Sequence, residues 1–269
     1  MKVRYLIPFL ALLLAGCPPK VATLDRLPSR DLAVSASLEL AGPAVDLCRD
    51  GEDLLVLEAS GTRVLRLGFD LAIEDTVVLS ERLEWPRGIA ADRYYIYVHE
   101  DEILYRLLKD ELELTAWLNN VRVAGLASYA PGEMLVSDED RGMVWYKTLF
   151  GESRRFLDVS DIGRPGALTR LPEDEFAALG GTRELVRFNR AGIVTGRREL
   201  GGDFDLMCAD PEGTLYLGRT GQPLVLVVSG EGDEVLHLPP TTDVAALCGD
   251  GRRLCVLESS DRISLYELP

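Results

Sequence analysis

The chain has two histidines, His99 and His237, 138 positions apart. Neither has a serine or cysteine beside it in a nucleophile motif such as Gly-x-Ser-x-Gly. His99 follows a β-rich run beside Glu100 and Asp101, and His237 sits in another such run, so both read as solvated surface side chains. Asp203, Asp205 and Asp243 stand at the entries of two similar apolar segments. Their oxygens are the kind of ligand that calcium takes, although a chain with 44 acidic residues also gathers some carboxylates at any surface by chance. Cys48, Cys208, Cys248 and Cys255 are an even number beyond Cys17 and permit two disulfides in an oxidising compartment. Cys248 and Cys255 lie symmetrically about Gly251-Arg252, so they face each other across a hairpin. A bridge there is one reading, although directly paired strands strain disulfide geometry. The other is that all four are small buried apolar residues. Zinc fits neither the cysteine spacing nor the scarcity of histidine. Trp85, Arg87 and Arg164 are residue types that dominate binding hot spots; their alternative role is structural.

Positioning these groups requires a scaffold, and its unit is visible in the spacing. The chain has almost no 3.6-residue periodicity, whereas short β-rich runs separated by Gly, Asp, Pro and Glu recur throughout. Six of them superpose: Leu54 to Leu57, Tyr95 to Val98, Glu133 to Val136, Glu175 to Ala178, Thr214 to Leu217 and Leu254 to Leu257. Their second residues are Leu55, Ile96, Met134, Phe176, Leu215 and Cys255, with spacings of 41, 38, 42, 39 and 40. A period near 40 with four strands per unit predicts a six-bladed β-propeller, an all-β fold, over residues 32–269. Small residues suit the innermost strand of each unit, which lines a crowded channel. The candidate carboxylates and Trp85, Arg87 and Arg164 then all approach one rim of that channel.

The sixth unit reaches Pro269 with only three strands. Residues 32–40, which contain the alternating run Val34 to Leu40, are expected to supply the fourth. This closes the ring and removes the exposed edges that invite aggregation. An open solenoid is the alternative.

Pro86-Arg87-Gly88-Ile89-Ala90-Ala91-Asp92 followed by Ile96-Tyr97-Val98 resembles the NHL repeat. Elsewhere only the turn and second strand match, as in Asp210 to Leu217. The resemblance implies a six-bladed propeller serving as a binding platform, a sensor or, less often, a hydrolase or lactonase. A gluconolactonase-like propeller holds a divalent cation at the channel mouth, the place taken here by Asp203, Asp205 and Asp243. No motif of that family carries over residue by residue.

The first 31 residues are of another kind. Lys2 and Arg4 precede an apolar run from Tyr5 to Ala15, the proportions of a signal-peptide core and too short for a span of roughly 20 residues. Leu14-Ala15-Gly16-Cys17 resembles the bacterial lipobox, which implies cleavage after residue 16 and lipid modification of Cys17. Acyl chains contribute about 0.8 kcal/mol per buried CH₂, enough together for stable anchoring. Pro18, where aspartate would signal inner-membrane retention, points to the outer membrane, with the propeller in the periplasm. Residues 17–31 carry three prolines and no aromatic residue and read as an extended spacer. After cleavage 27 basic side chains oppose 44 acidic ones, a net charge of −17. That balance argues against nucleic acid, which needs clustered Lys and Arg, and suits a basic partner.

The expected function is a lipid-tethered, non-enzymatic platform for an envelope protein partner, needing no cofactor. A metal-assisted hydrolase or lactonase at the channel mouth, or a small-molecule or glycan binder, are the alternatives. Oligomeric state is left open.

Overall fold

The computed structural model describes residues 23–268 apart from 112, 259 and 260. The signal segment and Cys17 lie outside the described residues. The protein is a six-bladed β-propeller. Blade 1 is β3 (Ala44–Asp50), β4 (Asp53–Glu58), β5 (Arg63–Gly68) and β6 (Ile73–Val78). Blade 2 is β7 (Gly88–Ala91), β8 (Tyr95–His99), β9 (Ile103–Leu108) and β10 (Leu114–Asn119). Blade 3 comprises β11 (Val123–Ala130), β12 (Glu133–Asp138), β13 (Met143–Lys147) and β14 (Ser153–Leu157). Blade 4 comprises β15 (Pro165–Arg170), β16 (Glu175–Gly180), β17 (Glu184–Asn189) and β18 (Val194–Glu199). Each strand pairs antiparallel with the next, and the six aligned segments of the sequence fall in second strands, Thr214 alone standing one residue ahead of its strand.

Blade 6 closes as the alternating pattern predicts. Its strands β23 (Val244–Gly249), β24 (Arg253–Glu258) and β25 (Arg262–Glu267) are joined by β2 (Val34–Glu39), which pairs antiparallel with β25. The two ends of the domain thus share one sheet. Blade 5 departs from the expectation. Beyond β19 (Leu206–Ala209), β20 (Leu215–Gly218), β21 (Leu224–Val228) and β22 (Asp233–His237) it gains a fifth strand, β1 (Ser29–Asp31), parallel to β22. Just before it, Leu24–Arg26 form a 3-10 helix, and Leu24 and Leu27 pack against the apolar layer between blades 4 and 5. The described end of the expected spacer is therefore part of the domain. Two leucines at this spacing cover a groove, and the unpaired edge of β22 offers backbone partners.

The core is six apolar layers, one between each pair of neighbouring blades, rather than one central mass. Leu55, Val64, Leu83, Ile96 and Leu107 fill the layer between blades 1 and 2. Tyr129, Tyr146, Phe176 and Phe188 fill that between blades 3 and 4, with Tyr129 stacked on Phe176 at 5.8 Å and Phe176 on Phe188 at 5.6 Å. Fully burying side chains of this size contributes roughly 1.5–3 kcal/mol each.

A recurring aspartate closes the turn after the inner strand. In blade 2, Asp92 Oδ1 accepts from the N–H groups of Tyr94 and Tyr95, and Oδ2 accepts from Tyr97 Oη at 2.8 Å. Oδ2 also accepts from the Gly132 N–H of blade 3, so the one carboxylate ties two blades together. In blade 5, Asp210 Oδ1 takes the N–H groups of Glu212 and Thr214, and Oδ2 the Tyr216 hydroxyl. Asp250 repeats the turn contacts with Arg252 and Arg253. Hydrogen bonds to a charged acceptor contribute roughly 1.5–3 kcal/mol, and here each holds a whole turn in place. Among the described residues no helix is long and apolar enough to cross a membrane.

Candidate functional site

The loops leading into each inner strand and those joining second to third strands lie on one face, the mouth of the channel. Trp85 and Arg87 stand in the segment before β7. That segment is held by Glu100, whose Oε2 accepts from the Glu84 and Trp85 N–H groups at 2.9 and 3.4 Å. Glu100 Oε1 accepts from the Tyr105 hydroxyl, whose pKa rises to about 12 through burial and this carboxylate. With its backbone fixed, the Trp85 ring is left 68% exposed. It borders a cleft of about 630 Å³ lined also by Arg87, Glu100, Asp101, Glu102, Arg122 and Asp140. Arg87 pairs with Asp101, and Arg122 with Glu139 and Asp140 at 3.2 and 3.5 Å. Arg164, on the far side of blade 3, joins the same network through Glu139 at 2.7 Å. The structure thus brings Trp85 and Arg87 together on one cleft and places Arg164 one ion pair away. Acidic side chains outnumber basic ones around it.

The three aspartates do not gather into one site. Asp203 is held by Arg183 at 2.6 Å, by Thr182 Oγ1 at 3.0 Å and by Arg219 at 3.7 Å. The Arg183 hydrogen bond leads in holding its carboxyl down at about 2. Asp205 Oδ1 instead accepts the Thr220 N–H, and Asp243 is exposed beside Gly221. Among the described residues no three His, Cys, Asp or Glu side chains form a group that could hold a metal ion. Two arginines neutralise the carboxylate that a cation would need most.

Cys248 and Cys255 are direct partners in the β23–β24 pairing, as the hairpin symmetry predicts. Both are buried free thiols, and Cys48 and Cys208 are free as well. Burial pushes the Cys248 thiol up to about 12, and burial with the nearby Cys248 raises Cys208 and Cys255.

The histidines separate. His237 is exposed at the end of β22, as read from the sequence. His99 is not a surface side chain: it is the last residue of β8 and only 8% exposed. Every residue of β8 from Ile96 onward is buried, so strand alternation gives no signal that separates His99 from a surface position. Burial, with the Arg87 charge second, lowers its pKa to about 4, so the imidazole is neutral at neutral pH. Its Nδ1 is buried without a hydrogen bond among the described residues.

His99 lines the central channel together with Asp46, a residue with no distinguishing mark in the sequence. Asp46 Oδ2 accepts from the Ile89 N–H and Oδ1 from its neighbour Leu47 N–H, both at 2.9 Å. The carboxyl meets the channel yet is enclosed by protein, and burial raises its pKa to about 7 against the two backbone hydrogen bonds. Gly88 lies between the pair: a β-carbon there would fall 2.3 Å from His99 Nε2 and 3.2 Å from Asp46 Oδ2. The channel they line, about 540 Å³, is otherwise walled largely by small and apolar side chains such as Ala90, Ala124, Ala167 and Ala245.

No family model matches the chain, and no curated protein matches it. Solved structures do. The chain is similar to virginiamycin B lyase from Staphylococcus aureus, with 10% identity, a TM-score of 0.64, and 87% of this chain and 99% of that one covered. It is similar to a streptogramin B lyase, with 11% identity, a TM-score of 0.64 and 87% of each chain covered. It is also similar to a catalytically inactive histidine-to-alanine variant of the S. aureus lyase with quinupristin, at 10% identity and a TM-score of 0.65. At such identity the likeness establishes the architecture, a six-bladed β-propeller, and fold alone does not select an activity.

Proposed function

We propose that the protein is a binding platform of the bacterial envelope, tethered through lipid at Cys17 to the outer membrane, and that it recognises a protein partner with the Trp85 cleft. The observation that carries this reading is Trp85 itself. A large aromatic ring held 68% exposed by a backbone clamp is the form of a binding anchor. The acidic side chains around it favour a partner segment bearing Lys or Arg, and the net charge of −15 for the whole chain adds long-range attraction. The test is extraction of the native protein in mild detergent, with its mass determined by size exclusion and light scattering. A large complex that is lost when Trp85→Ala, Arg87→Ala and Arg164→Ala are introduced supports the platform. A lone particle near the chain mass, or a complex indifferent to all three changes, overturns it.

The competing reading is an enzyme working at the channel mouth, favoured by the lyase activity named for the structural neighbours. Metal-assisted hydrolysis through Asp203, Asp205 and Asp243, which do not gather into one site among the described residues, would require calcium, manganese or zinc to bind the soluble form. Calorimetry showing no heat with any of the three removes that version.

A further inference from the structure

We propose that the outer flank of blades 3 and 4 is a lipid-contacting face, on which the propeller rests against the anionic phospholipid headgroups of the membrane that holds its anchor. The inference rests on the tether reading, since lipid at Cys17 is what brings this flank to a membrane. It adds a surface distinct from the Trp85 cleft.

The first observation is the reach of the tether. Leu24 and Leu27 pack into the layer between blades 4 and 5, and Ser29–Asp31 pair with β22, so the chain is fixed to the domain from Leu24 onward. Six residues separate Cys17 from Leu24, and a fully extended chain of that length reaches about 25 Å at most. A domain of this size is roughly 45 Å across. The tether is shorter than the ring is wide, so a lipid at Cys17 keeps the blade 4–5 rim near the bilayer and the opposite blades away from it.

The second observation is the charge beside that rim. β14 carries Arg154 and Arg155 with no acidic residue, and β18 carries Arg197 and Arg198 against Glu199. Every other fourth strand is neutral or acidic: β6 has Glu74 and Asp75, β10 no charge, β22 Asp233 and Glu234, and β2 Glu39. The two basic strands are neighbours in the ring, and Arg198 reaches Asp233 of β22, the strand on which Ser29–Asp31 dock. Arg154 lies over the Tyr146 ring at 4.6 Å and Arg190 over Tyr129 at 4.7 Å, with the two rings 4.6 Å apart, so both guanidiniums sit on one surface. Beside them stand two apolar tips, Phe150 in the β13–β14 turn at 92% exposure and Ile193 in the β17–β18 turn at 62%. The second turn packs on β14, since a β-carbon on Gly192 would fall 3.2 Å from the Phe156 carbonyl oxygen. Apolar tips among cations suit a headgroup layer, which takes the tips toward its acyl boundary and pairs the cations with phosphate. The net charge of −15 opposes this only weakly, because exposed charges beyond a screening length of about 8 Å count for little. The short tether also holds the flank at high local concentration, so a weak contact suffices.

The experiment places a nitroxide on Ile193→Cys, or on Asp75→Cys in β6 across the ring, in the mature acylated protein. Protein without an added cysteine sets the background. The probes are vesicles of phosphatidylcholine alone or mixed with phosphatidylglycerol, and the readout is collision of the label with a water-soluble nickel chelate. On the anionic vesicles, accessibility at position 193 should fall by about threefold or more while position 75 is unchanged. The fall should be smaller on phosphatidylcholine and should reverse in high salt. Arg154→Glu with Arg155→Glu should abolish it, and both side chains are exposed, so the fold is retained. Vesicle-bound protein whose label at 193 stays as accessible as that at 75 overturns the docking face and leaves the tether standing. Protein that does not float with the vesicles overturns the tether, and the docking face with it. An equal fall at 193 without vesicles assigns the flank to a protein contact and overturns the proposal.

Discussion

Gly88 and His99 are paired across β7 and β8, and the imidazole edge occupies the space that any side chain at position 88 would fill. A β-carbon there would lie 2.3 Å from Nε2 and 2.9 Å from Cδ2. The glycine of the Pro-Arg-Gly-Ile motif is thus explained by close packing rather than by an unusual backbone angle.

Gly88→Ala should therefore be destabilising, by about 1–3 kcal/mol as expected for overpacking. His99→Ala should restore part of the loss by vacating the space. Chemical denaturation of the two single variants and the double variant checks this; additive losses would show that the two positions do not interact.

The pH dependence of stability should carry two opposed contributions. His99 has a folded pKa near 4 against an ordinary 6.5, so its contribution is complete above about 6.5 and is lost as pH falls toward 4. Asp46 has a folded pKa of about 7 against 3.8. Its contribution is complete below 3.8 and is lost as pH rises through about 7. Asp46→Asn should then be more stable than wild type by about 1–3 kcal/mol at alkaline pH, less what the amide loses in accepting two backbone bonds. The advantage should vanish in acid. Denaturation curves across the range decide it, and a constant difference would refute the assignment.

Arg87 is the second cause of the low His99 pKa after burial. Arg87→Ala should raise the His99 titration midpoint, read directly by NMR, while changing stability by less than about 0.5 kcal/mol because the side chain is exposed. A midpoint that stays put would mean that burial alone holds the imidazole neutral.

Removal of residues 23–40 should cause aggregation and a lower thermal midpoint. It strips β2 from β25 and β1 from β22, exposing two strand edges, and removes Leu24 and Leu27 from the blade 4–5 layer. Removal of residues 23–31 alone should have a smaller effect, because β2 still closes blade 6. Size exclusion and thermal unfolding distinguish the two truncations.

The thiols of Cys48, Cys208, Cys248 and Cys255 should react with an aromatic disulfide reagent only on unfolding. Burial raises the pKa of each, and the thiolate is the reacting species. Rapid modification of the native protein would contradict this packing.

The propeller was legible in the sequence because each blade repeats the same local chemistry. An inner strand rich in small residues, a tight turn and an apolar second strand recur near every 40 positions, with an aspartate at the turn in blades 1, 2, 5 and 6 (Asp50, Asp92, Asp210 and Asp250), and strand alternation depends only on neighbours along the chain. Closure by Val34 to Leu40 was legible for the same reason, since three strands without a fourth demand one. Trp85 and Arg87 were identifiable by residue type and by their place before an inner strand. The tertiary structure alone decided the rest. Whether Ser29–Asp31 hang free or pair with β22 depends on an edge some 200 residues away. Asp203 is a candidate ligand by residue type, and only the fold puts Arg183 and Arg219 beside it. Asp46 and His99 belong to different blades and carry no motif. Both border Gly88 only because the ring packs blade 1 against blade 2, and a carboxylate's charge and an imidazole's protonation are set by that enclosure rather than by their neighbours in sequence.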